Sequence, residues 1–495
     1  MKPMPLRTRL FFALGNLGRT AFYMFFTGSL ITFVLFTRKL TPAQFSVVSV
    51  VLVAGRLFDA VIDPFIGGMV ENTHGRFGRF KPWITAGMVG AAAGTFLLFA
   101  LPLRGWPFVA LLLAGNIVFS LFYSINDIAY WGMLPALTSQ PEERARLTSM
   151  TTLCGGIGGA MAFLLVPMLT NGPLALGGSA VLAFPLLAAL FGLLMCATQL
   201  FSLLGVKDPP RVEPPGEKLR LKDLARVIFR NDQLLWASLA LVLEGLASGL
   251  LGSSLIMLYI YLRFGYEGVM VPAASVGYAA GSFVANFFLP RMHKKWGREK
   301  VMRMATGLFI AANAFWLAAH LLIPSTAPLA LLVSFAIWGL ASGFGYYCVY
   351  ITLLICMANT VEYNQYKTGR RQEGLVLSVR PFVIQVSAGI TSGLVTVLLL
   401  LLGLLGITNG IADAENAAAA GTLAAGDKLA QIGDLLAGVD MRSVRLLLAA
   451  LTIVPSVLMW ACTAIWRRKY TIDEARYEEI TQSIMNNEQM DSAPQ

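Results

Sequence analysis

The 495-residue sequence predicts an all-α membrane protein of twelve transmembrane helices in two six-helix halves. Three observations carry this. First, 56% of residues are hydrophobic, only 13% are charged, and the mean hydropathy is +0.67, against roughly 25% charged in soluble domains. Second, twelve apolar stretches reach the ~20 residues that a spanning helix needs. Third, a basic segment broken by Pro209-Pro210 and Pro214-Pro215 separates the sixth stretch from the seventh.

The stretches fall near 10–36, 43–70, 83–103, 107–137, 148–170, 178–206, 234–262, 269–289, 301–323, 327–358, 375–404 and 441–466. The first follows Lys2, Arg7 and Arg9. It is longer than a signal-peptide core of about 7–15 residues and is expected to remain as a span. Residues 1–206 form the expected N-terminal half, 207–233 a central cytoplasmic loop, 234–466 the C-terminal half and 467–495 a polar tail expected to fray. Within the second half, the Ala/Gly-rich stretch 405–440 reads as an external loop, with a short surface helix around Gly426–Gly438.

Basic residues set the orientation. With the N-terminus inside, 28 of the 38 Lys and Arg fall in inside segments and 7 in outside ones, the other three being Arg19, Arg56 and Arg380 within helices. Both termini are therefore expected in the cytoplasm. A weak repeat joins the halves. Arg76-Phe77-Gly78-Arg79-Phe80-Lys81 follows the second stretch, and Lys295-Trp296-Gly297-Arg298-Glu299-Lys300 follows the eighth. A duplicated six-helix unit is the pattern of the major facilitator fold, with its site near mid-membrane.

Charges inside the spans point to that site. Arg56, Asp59 and Asp63 stand three and four apart in the second stretch, on one helical face. Each costs about 2.5–3.5 kcal/mol at mid-helix, so the trio must pair or meet a wet cavity. Two acids against one base leave a net negative charge that suits a cation. The alternative is a purely structural cluster. In the fourth stretch Tyr123, Asp127 and Trp131 step by four, and Ser124 can lend an oxygen to a cation. A carboxylate flanked by aromatics suits a sugar, accepting its hydroxyls while rings cover its C–H faces. Packing or interfacial belting would also explain the rings. Asn16, Arg19, Thr20 and Tyr23 share a face of the first stretch, where Arg19 either faces the site or snorkels. Trp338, Ser342, Tyr346 and Tyr350 form a row in the tenth, and Arg380 and Gln385 open the eleventh. Glu244 in the seventh is an isolated acid without an assigned role. Arg76, Arg79, Arg298 and Glu362 are candidates for a cytoplasmic gate.

No Cys/His spacing suits a metal, and all five cysteines lie in apolar segments as reduced packing residues. The basic excess is spread as loop signals rather than as a nucleic-acid patch. No enzyme chemistry and no cofactor beyond a coupling ion are expected. Partners are a small-molecule sugar, a monovalent cation and the lipid bilayer, and the chain is expected to be a monomer.

With these residues in view, the sequence resembles the glycoside–pentoside–hexuronide:cation symporters. The run from Arg56 through Asp59, Asp63-Pro64, Gly67 and Gly78-Arg79 to Lys81-Pro82-Trp83 is similar to that family's helix 2 signature. Asp127 with Trp131 is similar to its helix 4 motif. Residues 358–374 are similar to its helix 10–11 loop, and Ser378-Val379-Arg380-Pro381-Phe382 fits the start of helix 11. The resemblance implies cation-driven sugar symport across the bacterial inner membrane. It implies a cation site at Asp59, Asp63 and Ser124, and a sugar site from Arg19, Tyr23, Tyr123, Asp127, Trp131, Trp338 and Arg380. Thr20 and Gln385 stand where the melibiose-transporting branch has an acid and a Lys, and Ile62 where it has an Asn. The change at Ile62 weakens Na⁺ and favours H⁺. Neutral Thr20 beside Arg19 and Arg380 makes the pocket more positive, which leans towards a uronide. The rival reading is a carrier of lysolipid or another amphipathic solute on the same fold.

Overall fold

The computed structural model describes all residues except 1–3, 72, 74–76, 139, 207–230, 325, 370–375, 377–378 and 493–495. The side chains of Leu57, Asp59, Ala60, Val61, Pro64, Glu71, Pro141 and residues 487–492 also lie outside the described set. Among the described residues the chain is helical, with no strand. The first six helices are α1 (Leu6–Thr37), α2 (Pro42–Glu71), α3 (Lys81–Ala100), α4 (Gly105–Leu137), α5 (Pro141–Thr170) and α6 (Ala180–Gly205), with short 3-10 turns at Gly172–Leu174 and Leu176–Gly178. Then come α7 (Asp232–Leu251), α8 (Ser254–Phe264), α9 (Met270–Leu322), α10 (Pro328–Thr368), α11 (Val379–Leu401), α12 (Leu405–Ala419), α13 (Ala425–Ala437), α14 (Met441–Lys469) and α15 (Glu474–Ser492).

Ten helices among the described residues are long and apolar enough to cross a membrane, α7 and α8 together counting as one. Two expected spans, the eighth and ninth, lie inside the single 53-residue α9, which breaks at Gly297 with φ 73° and ψ 162°. Only glycine rests there without strain. The seventh expected span is interrupted after Leu251, where Gly252 caps α7 and Ser253 Oγ accepts from the backbone N–H of Leu255. Polar caps start the helices elsewhere: Ser179 accepts from Val181 N–H, Asn231 from Leu234 N–H and Asp440 from Arg442 N–H.

The chain forms two compact units. The first comprises residues 1–218, 265–272 and 399–439; the second comprises 219–264, 273–398 and 440–495. Within the first, α1 lies against α5 and α6 because glycines let backbones approach. A Cβ on Gly158 would fall 2.0 Å from the Leu17 carbonyl oxygen, and one on Gly18 would fall 2.5 Å from that of Leu194. Packed rings fill the interior, with Phe26 stacked on Phe119 at 3.5 Å and Phe33 tilted against Phe99 at 4.6 Å. Leu186, Leu190, Leu193 and Leu204 stand exposed on α6, as a lipid-facing surface requires.

The 405–440 stretch is more ordered than its composition suggests. A helix at Ala425–Ala437 lies where a surface helix was expected, and α12 precedes it. Leu405, Thr408, Ile411, Ala412 and Glu415 form a buried face at helical spacing. This strap lies on the first unit. Asn409 exchanges hydrogen bonds with the backbone of Leu40 at 2.9 and 3.0 Å, and Asn416 donates to the Thr37 carbonyl at 2.9 Å. Glu415, fully buried, accepts from Ala180 N–H at 2.7 Å and pairs with Lys428, whose Nζ also donates to the Gly178 carbonyl at 2.8 Å. In the adjoining loop Arg38 lies between the Phe33 and Phe108 rings and donates to the Leu101 carbonyl. Burial, with the charge of Arg104 adding, lowers its guanidinium to about 10.

The tail also differs from expectation. Glu474–Ser492 forms α15, which lies against α10. Glu474 Oε1 accepts from the backbone N–H and from Nε of Arg298 at 2.8 and 3.0 Å, which anchors the helix.

Candidate substrate and cation site

Arg19 is the centre of the polar cluster in the first unit. It lies on α1, is 5% exposed, and does not reach a surface. Its Nε donates to Asn16 Oδ1 at 2.9 Å, one turn back on the same helix, and one terminal nitrogen donates to the Tyr123 hydroxyl at 3.3 Å. The same nitrogen forms an ion pair with Asp127. The guanidinium also faces the rings of Tyr130 at 5.2 Å and Trp131 at 5.4 Å. Asn16 is itself held by donation to the Thr151 carbonyl on α5 at 2.8 Å. The small Gly155 allows this contact, since a Cβ there would meet Asn16 Nδ2 at 2.4 Å.

The helical spacing of the motif explains the placement. Tyr123, Asp127 and Trp131 project from one face of α4 towards α1. Tyr23 stacks on Tyr123 at 4.9 Å, and Phe119 stacks on the other neighbouring turn at 5.3 Å. Thr20 donates to Asn16 Oδ1 at 3.3 Å. Asp127 keeps 40% of its side chain exposed while Arg19 neutralises it. The arrangement offers a carboxylate that accepts hydroxyls, a guanidinium fixed in orientation, and aromatic faces beside both. That is the chemistry of sugar recognition. On the opposite side of α4, Asn126 and Gln199 exchange two 2.8 Å hydrogen bonds and lock α4 to α6.

The cation candidates are described less completely. The side chain of Asp59 lies outside the described set. Asp63 on α2 and Ser124 on α4 are both half-buried, as is Arg56. α2 and α4 are neighbours, and a Cβ on Gly55 would fall 2.0 Å from Asn116 Nδ2. Carboxylate and hydroxyl oxygens of this kind suit a proton or Na⁺. Among the described residues, no group of three or more His, Cys, Asp and Glu could hold a metal ion.

The second-unit candidates divide. Trp338 is 2% exposed, stacks on Trp316 at 4.2 Å and donates its indole N–H to Asn313 at 2.8 Å. Its polar atom is thus committed within an aromatic core. Arg380 is exposed and donates to the Tyr350 hydroxyl at 3.1 Å; Gln385 is half-buried. Of the gate candidates, Arg298 pairs with Glu474, Arg79 lies over the Phe80 ring at 4.8 Å, Glu362 is half-buried on α10, and Arg76 lies outside the described residues.

Asn16 stands on the predicted face of α1 without a site role in the sequence pattern, and Tyr130 is not among the predicted candidates. The signal for Asn16 was its i−3 spacing from Arg19. Tyr130, adjacent to Trp131, gave none. Its ring is buried against Phe12 at 4.6 Å and its hydroxyl donates to the Phe12 carbonyl.

The family described as MFS/sugar transport protein matches residues 11–474. Among curated relatives, the chain is 28% identical over 419 residues to a lactose permease of Lactobacillus helveticus, covering 80% of this chain and 62% of that protein. It is 28% identical over 443 residues to a raffinose carrier protein of Pediococcus pentosaceus, covering 84% and 65%. It is 23% identical over 368 residues to an isoprimeverose transporter of Lactiplantibacillus pentosus, covering 72% and 73%. The chain thus spans less than two thirds of the length of the first two. Among solved structures, a bacterial homolog of the human lysosomal transporter Spinster matches 94% of this chain and 98% of its own, with TM-score 0.59 and 16% identity. That likeness is one of fold.

Proposed function

The chain belongs to the MFS/sugar transport protein family, as a multi-pass transporter of the bacterial inner membrane, and from that premise we propose that it carries a glycoside or related sugar by cation-coupled symport. The relatives named as lactose, raffinose and isoprimeverose carriers support a saccharide substrate. The observation that carries the reading is the Arg19–Asp127 pair set among the rings of Tyr123, Tyr130 and Trp131. Because Asp127 cancels the charge of Arg19, a neutral glycoside suits this cluster better than a uronide. Asp59, Asp63 and Ser124 take the coupling ion, H⁺ or Na⁺. Joint binding of ion and sugar lowers the cost of alternating access, so the ion gradient drives accumulation. Twelve spans with both termini in the cytoplasm complete the proposal, supported by the distribution of basic residues.

Proteoliposome uptake of neutral glycosides and uronides under separate Na⁺ and H⁺ gradients tests it. Wild type accumulates at least one glycoside under one gradient. Asp63→Asn retains exchange but loses accumulation, and Asp127→Ala loses sugar binding. Unimpaired gradient-driven uptake by Asp63→Asn removes that residue from the ion site. Absence of saccharide transport under both gradients overturns the function.

A further inference from the structure

Glu244 is a buried acid that the proposed sugar and ion sites do not use. It lies near the middle of α7, 1% exposed, and its Oε1 has no hydrogen-bond partner. Three ionisable groups act on it from the helices around it: Tyr278 on α9, Tyr346 on α10 and Cys462 on α14. From α11, Ser387 and Thr391 pack against Gly245 and Gly249, which follow Glu244 along α7, and neither ionises. Among the described residues no cation pairs with it.

An unpaired carboxylate in such a place carries a desolvation cost that no neighbour offsets. The neutral acid avoids that cost, so the site calls for a proton. A proton-binding site also needs a route to water, and a row of tyrosines joins its surroundings to exposed Arg380. Tyr346 on α10 is close enough to Glu244 for their charges to interact. Its ring stacks on Tyr278 at 5.7 Å and on Tyr350 at 5.9 Å. The Tyr350 hydroxyl accepts from exposed Arg380 at 3.1 Å. Phenolic hydroxyls both donate and accept, so a row of this kind can relay a proton between the buried acid and exposed Arg380 when water bridges the rings.

We propose that Glu244 is a proton-binding site of the second unit, loaded and emptied along Tyr346 and Tyr350. The carboxylate takes one proton from water to become the carboxylic acid and returns it to water, with no other bond changed. This extends the symport reading by adding a second ionisable group, separate from those on α2, whose protonation biases the transport cycle.

The test is infrared titration of the purified full-length chain in lipid nanodiscs, without sugar and without a gradient. It is therefore independent of whether symport is observed. Wild type shows a carboxylic-acid C=O band that falls as pH rises, and the band is absent in Glu244→Gln. Tyr346→Phe keeps the band but moves its frequency, which also identifies the group should Glu244→Gln fail to fold. Three results overturn the proposal: identical spectra for wild type and Glu244→Gln, a Glu244 band that does not titrate at any pH, or a band that Tyr346→Phe leaves unmoved.

Discussion

Arg19 shows how much one buried side chain organises. Its guanidinium serves Asn16, Tyr123 and Asp127 at once and lies against aromatic faces. Lysine carries the same charge but lacks the planar fork. Arg19→Lys is therefore expected to fold and to lose at least one charge-assisted hydrogen bond, worth about 1.5–3 kcal/mol. Equilibrium sugar binding, measured by calorimetry, should weaken by about tenfold or more. An unchanged affinity would reduce Arg19 to a packing ion. The pair was legible in the sequence, since Arg19 and Asp127 both stood where lipid would penalise them. Their partnership was not, because it depends on which faces of α1 and α4 meet. The rotation of α1 is fixed by contacts such as its Leu17 against Gly158 on α5, which no spacing announces.

At the scale of the element, breaks and docked segments carry the information. Gly297 turns α9 through a backbone conformation that side chains rarely tolerate. Gly297→Ala should cost about 1–3 kcal/mol, whereas Gly307→Ala, in regular helix with open space around it, should be neutral or stabilising. Thermal unfolding in detergent compares the two. The strap α12–α13 rests on the fully buried Glu415 and its partner Lys428. Lys428→Met strands the carboxylate and should cost about 3–5 kcal/mol. Deuterium uptake should rise across 405–437, and adding Glu415→Gln should recover part of the loss. Composition concealed this strap, because a run of alanines resembles a loop until its sparse large residues are seen to share one face. For α15, burial acts to raise the Glu474 carboxyl, but the backbone N–H and guanidinium of Arg298 outweigh it and hold the group below the usual range. A depressed carboxyl stabilises fully above the unfolded value of about 4.3 and ceases to as pH falls through the lower folded value. The protection of α15 amides relative to their intrinsic exchange rates should therefore fall below about pH 4 and stay flat above it. The tail's polarity hid that anchor, since nothing in 474–492 indicates where Arg298 lies.

At the scale of the molecule, the question is which side each segment faces, and the basic residues bear on it. From the predominance of Lys and Arg in the segments assigned inside, we propose that the strap lies outside and α15 inside. One helix, α14, long and apolar enough to cross a membrane, separates the two. Thr422 sits exposed in the turn between α12 and α13, and Gln482 is exposed on α15. In a background with the five native cysteines replaced, a membrane-impermeant maleimide added to intact cells should label Thr422→Cys and spare Gln482→Cys. Permeabilised cells should label both. The reverse pattern would invert the topology. Labelling of both from outside would mean that α14 does not cross, which no redistribution of the other spans repairs, because the two probes bracket α14 alone. The outcome also fixes the side from which the strap must be reached, and hence the side on which the Lys428→Met variant can expose it.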